Sequence, residues 1–392
     1  MSTSAETPPR TAALDDLSER VAAYVSEVVA PQAAAMAAGD GDGGRGHVTE
    51  LGRRGLAGLL VPADYGGAGG DHRDFAGFVE AVATECASAA VILDVHLSVA
   101  TEPIVRFGSD EQKRRLLPRL ARGEWIGAFA LSEPGSGSDA ASLQTRAEPH
   151  RGGYRLHGSK MWITNGDIAD VYVVMARTGD AGARGISAFI VERTMPGVTP
   201  GRPLHKLGLR GSRTTELLLD GVAVPEANRL GAEGRGFAVA MAALDSGRIG
   251  ISAQAVGIAE GALRAAAGHL RALVQVPAGG DAEWVTAATG SAALDQLGGM
   301  AASVAAARAL TMHAAAMCDA GEPMTRDASI AKLYATDTAV AVAHAAVELC
   351  APESAMDIHP ASTRLRDAKA CQIYEGTNQV QRLVIARELL RD

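Results

Sequence analysis

The chain has 392 residues, of which 47% are apolar and 21% charged, a balance typical of globular proteins and not of disordered or membrane-embedded ones. Its formal net charge of −8 gives no reason to expect nucleic acid as a partner. The four cysteines lack CxxC or disulfide spacing and the ten histidines lack HExxH or paired-ligand spacing, so we expect free thiols, a cytoplasmic location and no metal site.

Residues 1–125 are predicted to form a helical domain, because apolar residues recur at three- and four-residue spacing. The first helix carries one apolar stripe: Leu14, Leu17, Val21, Tyr24 and Val28. A glycine-rich stretch at residues 39–46 interrupts the pattern, and "FAGFVEAVATECASAAVILDVHLSV" is predicted to be long and central. Ser109 and Gln112 are spaced as a capping box for a further helix. No run reaches the roughly 18 apolar residues that a membrane span needs.

Residues 126–232 are predicted to form a β-domain. Four β-rich runs, "GYRLHGSKMWITN", "DVYVVMART", "GISAFIVER" and "TTELLLDGVAVP", are separated by Gly, Asp and Asn turns. Strands at this spacing, without helices between them, predict a small antiparallel barrel or sandwich. From residue 233 to 392 the helical pattern returns in runs long enough for a four-helix bundle. The predicted fold class is α+β, in the order helical, β, helical.

The stretch "QIYEGTNQVQR", residues 372–382, places the carboxylate of Glu375 in a short turn before an apolar-patterned segment. One interpretation is a surface turn, in which Gly376 relaxes the backbone, Thr377 caps the last helix and Glu375 faces water. The other interpretation is a general base directed into a pocket. The turn by itself favours the first.

Seven segments, in order, resemble the acyl-CoA dehydrogenases, and most of all their short-chain and branched-chain members. They are "PADYGGAGG", "RFGSDEQKRRLLPRLARGEW", "ALSEPGSGSDAASLQT", "GSKMWITNGDIADVYVV", "GISAFIVER", "LDSGRIGISAQAVGIAEGAL" and "RDAKACQIYEGTNQVQRLVIAREL". The resemblance covers nearly the whole chain. It implies an all-α N-terminal domain, a middle β-domain, a C-terminal four-helix bundle and FAD as cofactor.

The resemblance also implies which residues contact the flavin. Those expected beside its ring are Phe129, Leu131 and Ser132, with Trp162 lying against the isoalloxazine and Thr164 at its N5 edge. Ser138 is expected at the pyrophosphate, and the remaining cofactor contacts are Gly137, Thr377 and Gln379. From the residues alone, "FALSEPGSGSD" is a Ser/Gly loop whose glycines let the backbone approach a ligand, and a single strand Trp such as Trp162 is normally expected in a core.

For the substrate, the resemblance places Asp245 and Arg248 along the pantetheine arm and Arg387 at the adenine of CoA. From spacing alone, Asp245 and Arg248 form an i,i+3 ion pair and Arg387 is a surface residue near a helix end. The other expected substrate contacts flank the catalytic turn: Tyr374 and Gly376.

The resemblance assigns Glu375 as the catalytic base. Enzymes of this family remove the α-proton of an acyl thioester with this carboxylate while flavin N5 accepts the β-hydride. The thioester oxygen is stabilised by the backbone N–H of the Glu and a flavin ribityl hydroxyl. Apolar walls and ligand would raise the pKa of the carboxylate toward neutrality, where it is a better base.

Two motifs that reach across a family dimer to the partner's FAD are degenerate here. The R-x-x-F-G motif reads "LVQVP", with Leu273, Val276 and Pro277 as replacements. The Q-x-x-G-G-x-G motif reads "ELCAPES", with Glu348, Ala351, Pro352 and Ser354 as replacements. Charge-assisted hydrogen bonds contribute roughly 1.5–3 kcal/mol each, so losing two or three weakens FAD binding by orders of magnitude.

Three hypotheses follow, in order of preference. The chain is one subunit of a heteromeric dehydrogenase whose paralogous partner supplies the missing FAD contacts; or it lacks FAD and uses Glu375 for isomerisation, elimination or cyclisation of an acyl thioester; or it is a non-catalytic subunit. The expected partners are an acyl-CoA or acyl carrier protein thioester, an electron-transfer flavoprotein if the chain is redox-active, and further subunits in a homo- or hetero-oligomer.

Overall fold

The computed structural model describes residues 16–274 and 290–391. Three residues named above, Leu14, Val276 and Pro277, lie outside the described residues. The order of elements is helical, then β, then helical, which confirms the predicted fold class. The change from helix to strand occurs between Ala121 and Gly127, and the return to helix between Leu230 and Gly236. The domain limits at 125/126 and 232/233 stay a prediction.

The N-terminal helices are short and strongly buried on one side. Their bounds are α1 (Leu17–Tyr24), α2 (Ala30–Ala38), α3 (Arg45–Arg53), α4 (His72–Glu85), α5 (Ala87–Val95), α6 (Glu102–Phe107) and α7 (Asp110–Ala121). Single π-helical turns join α1 to α2 (Val25–Val29) and α5 to α6 (His96–Thr101). The capping box of α7 is confirmed: the Gln112 N–H donates to Ser109 Oγ at 3.2 Å, and the Ser109 N–H to Gln112 Oε1 at 2.9 Å.

The long apolar segment differs from its prediction, because it forms two helices that meet at Cys86. The backbone of Cys86 is extended (φ −146°, ψ 104°), which breaks the helical hydrogen bonding between α4 and α5. Two helical stretches, Leu17–Ala38 and Ala87–Phe107, contain charged residues but are on average long and apolar enough to cross a membrane, by length and composition alone. The second of these stretches lies in the core, since 94% of its most apolar 18-residue segment is buried inside the protein.

The β-block is one eight-stranded sheet in the order β6-β7-β3-β2-β4-β5-β8, with β1 beside β4. The strands are β1 (Gly127–Ala130), β2 (Arg146–His150), β3 (Gly153–Thr164), β4 (Val171–Arg177), β5 (Ile186–Glu192), β6 (Val198–Pro200), β7 (Thr214–Pro225) and β8 (Arg229–Leu230). Neighbouring strands are antiparallel, as predicted, except that β1 and β2 both run parallel to β4. A parallel pair needs a connection longer than a hairpin, and neither of these two pairs is consecutive in the chain.

A β-bulge in β3 determines which side chains leave the sheet. Lys160 pairs with Leu217 and Ile163 with Thr215, so Met161 and Trp162 together oppose one residue of β7. Such a bulge bends the strand and redirects a side chain. Here it gives Trp162 a left-handed backbone (φ 64°) and leaves its ring 60% exposed.

The C-terminal block is built around one 39-residue helix, α8 (Gly236–Val274). The other helices are α9 (Ser291–Asp319), α10 (Thr325–Leu349), α11 (Pro360–Cys371) and α12 (Asn378–Leu389). Helices α8 to α11 pack against one another, as predicted for a four-helix bundle, and α12 packs on α10. Helix α8 also packs on α4 and α5, so the N-terminal helices and the bundle share a core.

Candidate active site

The turn between α11 and α12 carries Glu375 in a strained backbone conformation. Glu375 has φ 53° and Gly376 has φ 89°, both in the left-handed region. A residue other than glycine costs about 1–3 kcal/mol in such a conformation and persists only where its surroundings hold it. The turn is therefore shaped for a purpose other than joining two helices.

Two side chains from other parts of the bundle hold this turn. Gln381 Nε2 donates to the carbonyl oxygens of Glu375 and Gly376, at 3.1 and 2.9 Å. Lys332, on α10, donates from Nζ to the Gly376 carbonyl oxygen at 2.8 Å and to Asn378 Oδ1 at 2.8 Å. The backbone around Glu375 is thus fixed by α10 and α12 together.

One carboxylate oxygen of Glu375 faces the interior of the protein. Its Oε2 is inaccessible to water and has no hydrogen-bond partner among the described residues. It lies against α8 at Gly247, where an added Cβ would stand 2.6 Å from Oε2 and 2.8 Å from Val99 Cγ1. Burial raises the pKa of Glu375 to about 7, against the positive charges of Lys332 and Arg248, which favour its ionised form. A carboxylate with a pKa near neutrality is suited to general-base chemistry at physiological pH.

Asp245 and Arg248 form the ion pair that their spacing predicts. Arg248 Nη1 lies 2.6 Å from Asp245 Oδ1, and Thr325 Oγ1 donates to Asp245 Oδ2 at 2.9 Å. Arg248 is buried, and its Nε has no partner in the described part of the chain. Its charge acts on Glu375, so the structure brings this pair and the turn into one electrostatic environment.

The remaining residues expected near the substrate lie on both sides of this turn. Tyr374 is hydrogen-bonded through its hydroxyl to Gln254 Oε1 and lies 3.5 Å from Cys371 Sγ. Burial raises the pKa of Tyr374, so it stays neutral. Arg387 is exposed in the last turn of α12. It lies on the helix that follows the turn, and among the described residues its side chain forms no hydrogen bond or ion pair with the turn.

The loop after β1 and the bulge of β3 form a hydrogen-bonded layer, here called the floor, that carries the residues expected beside a flavin ring. Beneath it, buried Lys160 donates to the Leu131 carbonyl oxygen at 3.1 Å and to Glu133 Oε1 at 2.7 Å. The Met161 N–H donates to the Ser132 carbonyl oxygen at 2.9 Å, which ties the loop after β1 to the bulge of β3. These bonds fix the loop backbone and leave the Ser132 side chain free for a ligand.

Above this floor the surface is exposed. Trp162 presents its ring, and the loop at residues 134–139 is open: a Cβ added at Gly137 would meet no heavy atom within 4 Å. Ser138 is exposed, while Phe129 and Thr164 are half-buried at the ends of β1 and β3. An exposed aromatic ring beside a Ser/Gly loop fits a planar, partly anionic ligand. Trp162 is not a core residue, so of the two interpretations of its strand position the core one is wrong.

Thr377 and Gln379 lie at the start of α12. Thr377 is the N-cap of α12 and accepts from the Val380 N–H at 3.3 Å, so the capping role expected from the turn sequence is confirmed. Gln379 is exposed on the first turn of α12. Neither contacts the floor described above, and their expected role toward a cofactor stays a prediction.

The described parts of the two degenerate motifs offer few donors for an anion. Leu273 is 65% exposed at the end of α8. Glu348 is exposed on α10, within 3.3 Å of Gln296 Nε2 and 3.5 Å of His344 Nε2. Ser354 is buried and donates its hydroxyl to the Val347 carbonyl oxygen at 2.6 Å, so that group is already used. A carboxylate here repels phosphate, and Pro352 has no N–H.

Sequence reasoning missed three residues around Glu375: Lys332, Gln381 and Asp94. Lys332 is fully buried, and burial lowers its pKa to about 8. The available signal was a lysine inside the otherwise apolar face of "SIAKLYATDTAV". Asp94 likewise stands alone in "AVILDVHLSVA" and is completely buried. A charged residue inside an apolar helical run is rarely buried without a partner or a role.

Comparison with protein families gives matches along almost the entire chain. Residues 11–124 match the model of the acyl-CoA dehydrogenase N-terminal domain, residues 128–222 that of the middle domain, and residues 234–390 that of the C-terminal domain. An acyl-CoA dehydrogenase of Bacillus subtilis is 47% identical over 344 residues, which cover 88% of this chain and 89% of that protein.

Solved structures agree with these matches. The butyryl-CoA dehydrogenase of Megasphaera elsdenii superposes with a TM-score of 0.90 at 38% identity, covering 97% of this chain and 99% of that one. A chain in a structure described as the electron transferring flavoprotein of Acidaminococcus fermentans superposes with a TM-score of 0.91 at 38% identity, covering 98% and 100%.

Proposed function

Because the chain belongs to the acyl-CoA dehydrogenase family, we propose that it oxidises an acyl thioester between its α and β carbons, with Glu375 as the base that removes the α-proton. One observation carries this proposal. The Oε2 atom of Glu375 is buried and has no partner among the described residues, and the turn that holds the carboxylate is strained. A surface turn would have placed it in water, where neither its raised pKa nor its fixed direction would arise.

FAD is the cofactor of this family, and when bound it supplies the acceptor for the β-hydride. We assign its ring to Phe129, Leu131, Ser132, Trp162 and Thr164, and its pyrophosphate to Gly137 and Ser138. The exposed ring of Trp162 above a hydrogen-bonded floor supports this assignment. It also favours the redox reaction over redox-neutral proton chemistry on the same thioester.

Glu375 performs the proton transfer, and other residues of the chain prepare it. Lys332 and Gln381 fix the backbone of the turn, and the charges of Lys332 and Arg248 keep part of the carboxylate ionised near neutral pH. We assign Asp245, Arg248, Tyr374 and Gly376 to the pantetheine and acyl part of the substrate, and Arg387 to the outer part of the carrier. CoA and acyl carrier protein present the same pantetheine arm, and both are compatible with these contacts.

We further propose that a paralogous subunit completes the FAD site and that the chain works in an oligomer. The exposed Leu273 and Glu348 support this, because a two-fold homodimer would lack the same donors at every site. The relation to a chain solved in a study of electron transferring flavoprotein supports such a flavoprotein as the electron acceptor. The free thiols of all four cysteines support a cytoplasmic location.

Glu375→Gln tests the proposed function. The amide keeps the size of the side chain but cannot take a proton, so thioester binding should persist while flavin reduction slows by about 10²–10⁴-fold. The measurement is anaerobic bleaching of bound flavin by butyryl-CoA, in the presence of any partner subunit that the chain requires. Glu111→Gln, which changes an exposed carboxylate on α7, is the matched control. Equal bleaching rates in Glu375→Gln and the parent would remove Glu375 from the reaction.

A further inference from the structure

Asp94 is a buried carboxyl group whose hydrogen-bonding capacity is largely unused. It lies on α5 and is 0% exposed. Ser98 Oγ is 2.9 Å from Asp94 Oδ1 but also 2.8 Å from the carbonyl oxygen of Asp94 itself, so one hydroxyl hydrogen serves two acceptors. The other carboxyl oxygen, Oδ2, is buried and has no partner among the described residues. Neutral or ionised, a carboxyl group has a hydrogen-bonding site at each oxygen, so Oδ2 of Asp94 lacks the polar partner that a buried group normally has.

The charges around Asp94 do not compensate for its burial. No ion pair to Asp94 occurs within residues 16–274 and 290–391, and the ionisable neighbour that acts on it is another carboxylate, Glu375. Burial first and the charge of Glu375 second raise the pKa of Asp94 well above its ordinary value. A buried carboxyl group without partners destabilises a fold, so its presence calls for a role.

Helix α8 relates Asp94 to the catalytic turn. Gly247 and Gly250 lie one turn apart on the same face of this helix. A Cβ at Gly247 would stand 2.6 Å from Glu375 Oε2, and a Cβ at Gly250 would stand 2.1 Å from Asp94 Oδ1. Since Cβ positions one turn apart are separated by about 5–6 Å, the two carboxyl oxygens are at most about 11 Å apart.

Two apolar side chains lie beside these carboxyl groups. Val99 Cγ1 lies next to the Glu375 oxygen, and Phe75 Cζ lies 2.9 Å from the position of a Cβ on Gly250. Both side chains are buried. Such walls suit a hydrocarbon chain that extends from the reacting carbons, and Asp94 is the polar exception among them. A short acyl chain with a polar end would reach it.

We propose that Asp94 determines specificity and selects acyl thioesters whose chain carries a polar group, a hydroxyl or an amino group, beyond the carbons that react. This inference rests on the proposed function for the position of the reacting carbons. That group hydrogen-bonds to Oδ2, which nothing else in the described chain does: a neutral carboxyl donates to it, and an ionised one accepts from it. A site built to bond such a group rejects an analogue that lacks it, because the polar partner is then left buried and unpaired.

The test compares thioesters of matched length in Glu375→Gln, in which binding is separated from turnover. The pairs are 4-hydroxybutyryl-CoA against valeryl-CoA, and 3-aminopropionyl-CoA against butyryl-CoA, measured by titration calorimetry on the protein with its cofactor and any required partner. We expect the polar member of at least one pair to bind about tenfold or more tightly. Asp94→Leu, an apolar replacement of similar shape, should abolish or reverse that preference. Ser98→Ala, which keeps the carboxyl group, should retain it.

The outcomes separate this inference from the proposed function. Equal or tighter binding of both apolar members, no binding of any of the four, or a preference that survives Asp94→Leu overturns the role of Asp94. If Asp94→Leu does not fold, Asp94→Asn takes its place, and the ratios in the Asp94-containing protein already decide. Flavin reduction by butyryl-CoA without any polar preference leaves the proposed function standing and removes the inference. A polar preference without flavin reduction by any thioester keeps the inference about Asp94 and removes the proposed function.

Discussion

Lys332→Met is the substitution that best separates the electrostatic from the purely structural contribution to Glu375. Methionine keeps the length of the side chain and removes its charge. The two acceptors of Lys332 retain other donors, because the Gly376 carbonyl oxygen still receives Gln381 Nε2 at 2.9 Å and Asn378 Oδ1 lies 3.2 Å from Thr336 Oγ1. The loss of stability should therefore be moderate, about 1–2 kcal/mol in the free energy of unfolding.

The expected effect on activity follows from the charge. An opposite charge a few ångströms away lowers a carboxyl pKa by about 1–3 units. Burial lowers the pKa of Lys332 to about 8, which reduces its mean charge, so we expect the smaller shift. In Lys332→Met the pKa of Glu375 should rise about one unit above its value of about 7. At pH 7 the ionised fraction would fall from about one half to about one tenth, and kcat/KM by about fivefold.

The assay is kcat/KM for butyryl-CoA between about pH 6 and 10 with a dye as electron acceptor, because this ratio reports ionisations of the free enzyme. The acidic limb of the profile should move up by about one unit, and rates above about pH 9 should approach those of the parent. Lys369→Met is the control, since it removes an exposed lysine on α11 whose charge is screened by solvent. An acidic limb that stays in place, with activity lowered equally at every pH, would show that Lys332 only supports the turn.

Three further outcomes can be checked. The chain purified alone should carry clearly less than one FAD per chain, by its absorbance spectrum after gel filtration, because Leu273 and Glu348 occupy positions where we expect the family to use donors to FAD; stoichiometric flavin would contradict this. Asp245→Asn and Arg248→Ala should raise KM more than they lower kcat, and a fall in kcat alone would place this pair at the chemical step. Burial raises the pKa of Glu375 from 4.5 to about 7, so the folded chain holds this proton more tightly than the unfolded chain, and its stabilising effect is lost as pH rises through about 7. In urea titrations, the unfolding free energy of Glu375→Gln relative to the parent should therefore rise from about pH 5 to 8, and a constant difference would mean that the pKa is not raised.

The architecture was accessible from the sequence because each block has its own hydrophobic period. The capping box at Ser109 and Gln112, and the cap at Thr377, depend on neighbours three residues apart and were read directly. The break at Cys86 was not, because the apolar pattern continues through it and the extended backbone is imposed by packing. Parallel pairing of β1 with β4 was missed for a similar reason: it joins strands more than forty residues apart.

In the candidate site, too, features that depend on the fold could not be predicted from neighbouring residues. The importance of Glu375 came from resemblance and not from spacing, since its turn alone reads as a surface turn. The groups that act on it, Lys332 and Arg248, are 43 and 127 positions away and reach it only through the folding of the bundle. Asp94 was visible in the sequence as a carboxylate in an apolar run, but its missing partner is a property of the folded chain.

The bulge in β3 has a consequence for how this surface tolerates change. Trp162 faces outward because two residues of β3 stand opposite one of β7, so its direction is set by residue count and not by the chemistry of the indole. A single deletion between Lys160 and Ile163 would restore regular pairing and withdraw position 162 from the ligand surface. Substitution there leaves the geometry intact, provided that the new residue accepts a left-handed backbone, which disfavours Val, Ile and Thr. This segment should therefore accept exchanges of side chain far more readily than changes of length.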